Sequence, residues 1–175
     1  MTRELFFSAV SLLLPLTVVI TYFDVKYRRI PNKIVLVALL CGAGINTFWL
    51  GWEGLWSCLA GCLSAFGLML LLHLWGALGA GDVKLFAAIG GIIGVGLVIK
   101  TFCIVVFLGA FLAVISMFRT RTVRVTLQRV AMLLVGFLPG WEMPRYTATP
   151  DRHTIPYGVA ITFGTLLSFV FYTAQ

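Results

Sequence analysis

Six acidic side chains occur in the 175-residue chain: Glu4, Asp24, Glu53, Asp82, Glu142 and Asp151. Glu4 and Glu53 read as solvated charge at loop edges. Asp24 and Asp82 do not, because Asp24 follows the long apolar run 5–23 and Asp82 precedes the apolar run 83–99. Two carboxylates brought close together cannot both ionise easily, so one keeps its proton. Such a pair can run aspartic-protease chemistry. The ionised partner draws a proton from water, which attacks a peptide carbonyl; the protonated partner donates a hydrogen bond to the developing oxyanion, and the acid then protonates the leaving amine. Sequence leaves open which aspartate starts protonated. Whether they meet depends on the elements that carry them.

Those elements belong to a membrane. With 61% hydrophobic residues, 11% charged residues and a mean hydropathy of +1.04, the chain does not describe a water-soluble globule. In lipid every backbone polar group must be satisfied internally, and long unbroken apolar runs select helices over a closed barrel. A spanning helix takes about 20 apolar residues, and six stretches approach that length: 5–23, 34–50, 55–75, 83–99, 101–118 and 155–172. The expectation is therefore an all-α, polytopic transmembrane helix bundle of about six spans forming one domain, 1–175. Segment 119–153 is expected to lie on the cytoplasmic side, with an interfacial helix around its apolar middle, 130–138. Glycines lower helix propensity in 83–99, although in a membrane they also permit close packing.

Charge sets the orientation. Eleven of the thirteen Lys and Arg fall on odd-numbered loops, leaving only Arg3 and Lys100 on the other face. Positive-inside reasoning then puts the odd loops in the cytoplasm and both termini outside. Two full crossings separate Asp24 from Asp82, so both reach the cytoplasmic boundary. The net charge of +7 is scattered between apolar runs and forms no dense basic cluster with stacking aromatics, which argues against nucleic acid as a partner. Cys41, Cys58, Cys62 and Cys103 all lie within apolar runs and read as small apolar residues. No metal or cofactor is expected.

Each candidate has a plainer reading. Asp82 opens a helical run and can be an ordinary N-cap. Asp24 is harder to explain away: it ends a helix, where the dipole disfavours negative charge, and an acid in a span is costly unless it faces a polar cavity or partner. Gly79 and Gly81 let backbone approach an extended substrate, or they only turn the chain. Pro31 stops helix at Ile30, and Asn32 can cap the second span. Lys26 and Lys84 can position substrate, though snorkelling toward headgroups is the stronger reading. His73 reads as interfacial, with a proton shuttle as the alternative.

Three stretches in order, Asp24-Val-Lys-Tyr-Arg-Arg-Ile-Pro-Asn32, Gly79-Ala-Gly-Asp-Val-Lys-Leu85 and Ile155-Pro-Tyr-Gly-Val-Ala160, closely resemble the type IV prepilin peptidases, a family of GxGD intramembrane aspartic proteases. The resemblance implies an enzyme of the bacterial cytoplasmic membrane that cleaves the basic leader of prepilins or pseudopilins at the cytoplasmic face, with Asp24 and Asp82 as its catalytic aspartates. Archaeal preflagellin peptidases share the GxGD logic. Longer members of the family carry two CxxC pairs near the first loop and also methylate the new N-terminus; this chain has no such pairs there, so it is similar to short, peptidase-only forms. A small proton- or ion-coupled transporter is the rival class, disfavoured because both acids lie at one face and no inverted repeat is visible. A non-catalytic membrane assembly protein with structural aspartates is a third.

Overall fold

The computed structural model describes residues 3–27, 29–75, 78–120 and 157–173. By internal contact the chain divides into two units, Met1–Gly109 with Pro156–Gln175, and Ala110–Ile155; the packing described below lies within the first. The described residues form five helices: α1 (Arg3–Tyr27), α2 (Asn32–Leu74), α3 (Ala80–Ile93), α4 (Val95–Thr120) and α5 (Tyr157–Thr173). Three stretches, Glu4–Tyr27, Asn32–Leu74 and Val95–Ile115, are long and apolar enough to cross a membrane. The expected interfacial helix around 130–138 falls outside the described residues.

α2 is two helices joined at one residue. Gly51 takes φ 61° and ψ −136° inside it, a left-handed conformation that glycine reaches without Cβ strain. Leu39 from one limb and Cys58 from the other both border Gly91. In a straight helix those two residues would stand roughly 28 Å apart at 1.5 Å per residue, so the limbs double back. They correspond to the expected spans 34–50 and 55–75.

The expected span 83–99 is broken instead. Gly94, at φ 72°, ends α3 at Ile93, and α4 starts at once at Val95. The apolar run continues through this point, so hydropathy carries no mark of the break; the sign of one φ makes it. The segment expected to begin at Thr101 therefore starts six residues earlier, and Lys100 lies within α4.

From Leu85 onward α3 is buried on all sides, every residue to Ile93 being inside. An all-round apolar helix marks the centre of a bundle. Lipid tails are as apolar as the side chains, so close packing and polar contacts must hold the neighbours together. Gly61 and Gly90 meet with no space for a Cβ on either, bringing α2 and α3 backbone to backbone. Buried Asn46 adds the polar contact. Its Nδ2 donates to Gly42 O at 2.9 Å within α2, and to Gly91 O at 3.2 Å and Ile92 O at 3.0 Å on α3. The last two belong to the final turn of α3, whose carbonyls have no partner within their own helix. At the other side of the bundle, Thr101 and Ser168 share a hydrogen bond of 2.9 Å that ties α4 to α5.

Candidate active site

Asp24 lies near the end of α1 and belongs to its inward stripe. Leu5, Ala9, Leu13, Leu16, Ile20 and Asp24 are all buried, and their steps of three and four residues trace one helix face. Asp24 as a residue is only 7% exposed. The N-terminus of α5 meets it: the backbone N–H groups of Gly158 and Val159 donate to the carboxylate, where unpaired helix-end amides favour an anion. Gly158 is required by this approach, since a Cβ there would lie 2.7 Å from Asp24 Oδ2. That oxygen is buried and accepts no hydrogen bond from the described residues.

Asp82 sits in the first turn of α3, ahead of the apolar run from Val83. It is not the N-cap. That place is held by Gly79, and Asp82 lies three residues on, where its Oδ2 accepts the Gly79 N–H at 3.1 Å. This is the side-chain-to-backbone half of a capping box; Gly79, having no side chain, cannot supply the other half. Burial pushes the Asp82 carboxyl up to about 6, with the Gly79 N–H working against the rise and the nearby charge of Asp24 adding to it. The two carboxyls, 58 residues apart in the chain, are thus electrostatic neighbours. The Tyr157 phenol is within electrostatic reach of Asp82 as well, and its ring rests against Gly109 of α4.

The loops that carry the other candidates also meet. Gly81 packs on Ile30, with Ile30 carbons 3.7–3.9 Å from where a Gly81 Cβ would stand. The short link between α1 and α2 therefore rests on the glycine segment before Asp82. Pro31 is the N-cap of α2, its carbonyl accepting the N–H groups of Ile34 and Val35. Asn32 is the first helical residue and makes no side-chain cap, which differs from the expected role.

Lys26 and Lys84 each follow an aspartate by two residues, which on a helix is a rotation of about 200°. Both are exposed. Lys26 Nζ donates to Tyr22 Oη at 2.8 Å and lies over the Tyr22 and Tyr27 rings. Lys84 lines, with Asn32, an open apolar groove between the two limbs of α2 and α3. Neither lysine is brought to the carboxyls. Tyr157, Gly158 and Val159 were not singled out individually from sequence. Their signal was the Ile155-Pro-Tyr-Gly stretch, of which Ile155 and Pro156 lie outside the described residues.

A model of the type IV leader peptidase family matches residues 11–114, a stretch that includes both aspartates. The prepilin leader peptidase/N-methyltransferase of Bacillus subtilis (strain 168) is 29% identical over 171 residues, covering 96% of this chain and 56% of that relative. The chain thus spans about half the length of the curated relative it matches. No solved structure matches the chain.

Proposed function

The chain belongs to the type IV leader peptidase family, and from that premise we propose that it is a membrane aspartic endopeptidase. Its substrates are type IV prepilins or pseudopilins, whose basic leader it removes at the cytoplasmic face of the bacterial inner membrane. The bundle crosses about six times with both termini outside, as loop charge requires. Asp24 and Asp82 are the catalytic pair, sharing one proton, and water is the nucleophile.

The observation that carries this reading is the convergence of two aspartates from distant parts of the chain, one buried against the amides of Gly158 and Val159 and the other held at the start of the central helix. One carboxylate takes a proton from water as it attacks the scissile carbonyl. The other, protonated, donates a hydrogen bond to the oxyanion and then gives its proton to the leaving amine, while the proton drawn from water stays on its partner. Oδ2 of Asp24, which accepts no hydrogen bond from the described residues, has spare acceptor capacity for that water. Gly79 and Gly81 present backbone without side chains beside Asp82, which an extended substrate can approach closely, and Pro31 and Asn32 shape the adjacent loop. Lys26 and Lys84 act at a distance, through the charge they place near the interface.

The test is co-expression with a prepilin and comparison of leader removal by wild type, Asp24→Asn and Asp82→Asn. Amide replacement keeps the shape and removes the acid–base chemistry, so each single substitution is expected to abolish processing. Processing that survives both would sink the protease reading, and proton-driven uptake into vesicles would replace it with transport.

A further inference from the structure

His73 is half-buried in the last turn of α2, outside the carboxyl pair. Its Nδ1 lies 2.7 Å from the carbonyl oxygen of Leu78. A carbonyl can only accept, so Nδ1 carries the hydrogen and donates. The next atom along the backbone from that carbonyl group is the nitrogen of Gly79, whose N–H donates to Asp82 Oδ2 at 3.1 Å. One peptide unit therefore accepts from His73 on one edge and donates to Asp82 on the other.

We propose that His73 is a positioning residue for Asp82, acting through the Leu78–Gly79 peptide. In a trans peptide the C=O and N–H point in opposite directions across a rigid plane. Fixing the carbonyl end fixes the direction of the N–H at the other end. Donation into the carbonyl also polarises the amide, which strengthens the bond it gives to a carboxylate. Ordinary capping at the end of α2 would steady that helix and leave Asp82 unchanged. The inference rests on the reading of Asp82 as half of the catalytic pair.

Other groups act on Asp82 from each element around it: Asp24 from α1 and Tyr157 from α5, while Lys84 on its own helix is turned away. None of them touches the Leu78 carbonyl, so its partner can be changed independently.

The chain has three aspartates, Asp24, Asp82 and Asp151, so carboxyl-13C aspartate labelling gives a resolvable titration of the full chain in detergent, with Asp82 identified by its loss in Asp82→Asn. In His73→Leu the Asp82 midpoint is expected to rise by about half a pH unit or more, because the carboxylate loses a well-aimed donor. The kcat for a prepilin with a basic leader in proteoliposomes should fall roughly fivefold with KM little changed. His73→Phe, which keeps a ring without the donor, should behave alike and serves if the leucine variant does not accumulate. His73→Asn, whose Nδ2 can donate from nearly the same place, should bring both readouts back toward wild type. An Asp82 midpoint that stays put in His73→Leu or His73→Phe overturns the inference, and so does a shift that His73→Asn fails to reverse. Processing that persists in Asp82→Asn would defeat the catalytic reading alone, since the titration reports on the His73 linkage without any activity.

Discussion

A carbon added at Gly158 would stand 2.7 Å from Oδ2 of Asp24 and 3.1 Å from its Cγ. Real Cβ contacts are not that short, so Gly158→Ala must move the carboxyl or open the start of α5. Because the same turn supplies the Gly158 and Val159 amides, the displacement also weakens their hydrogen bonds. Leader removal by Gly158→Ala should fall at least tenfold, since misplacement of a reacting group by about 1 Å can cost about that or more. Membrane accumulation of the variant, followed by immunoblot, should stay near wild type; normal processing rates would contradict the close approach.

Asp82 provides a prediction with a definite sign. Its carboxyl is pushed up to about 6 from an ordinary 3.8, chiefly by burial. Ionising it costs the folded state, so this group's favourable contribution is full below about pH 4 and is lost as pH rises through 6. Asp82→Asn keeps an oxygen to accept the Gly79 N–H and has no charge to bury. The variant should therefore melt above wild type at pH 8, by about 1–3 kcal/mol in stability, and match it near pH 4. Thermal melting in detergent across that range checks this, and a variant less stable than wild type at pH 8 would refute it.

Asn46 is expected to matter for stability at a distance from the carboxyls. Asn46→Leu preserves bulk and withdraws the donor from Gly42, Gly91 and Ile92 carbonyls. Interhelical polar contacts in membranes are worth about 0.6–2 kcal/mol, and the melting temperature should drop accordingly. An unchanged melting curve would show that the end of α3 needs no external partner.

Glycines should separate by contact and not by position in a hydropathy plot. Gly61→Ala and Gly90→Ala force a methyl into the facing backbone and should destabilise by about 1–3 kcal/mol or more. Gly44→Ala and Gly67→Ala meet nothing within 4 Å and should be neutral or slightly stabilising through helix propensity. Detergent melting of the four variants is the check. A similar loss in all four would mean that the α2–α3 contact is looser than described.

Much of the scaffold was legible because lipid imposes few solutions. Apolar run length marked α1 and both limbs of α2 within a few residues. The stripe Leu5, Ala9, Leu13, Leu16, Ile20 and Asp24 was present in the sequence as well, and its periodicity places the acid on the inward face. The break at Gly94 was not legible, since a glycine with positive φ and a glycine allowing close packing look alike in sequence. The role of Asn32 was misjudged for a related reason: Pro31, with its fixed φ, can hold the cap position itself, so the asparagine moves one place into the helix.

Composition by itself determined the solvent, and the solvent determined helices, because backbone groups in hydrocarbon have no partners outside their own segment. The residue types at 24 and 82 determined what chemistry was available. Tertiary structure decided the rest. It brought the α5 amides of Gly158 and Val159 to Asp24, set the Asp24 charge near Asp82, and turned Lys26 and Lys84 away from both. Those outcomes depend on where separate helices touch, and contact between helices is fixed by packing and backbone approach, which the order of residues along one chain does not display.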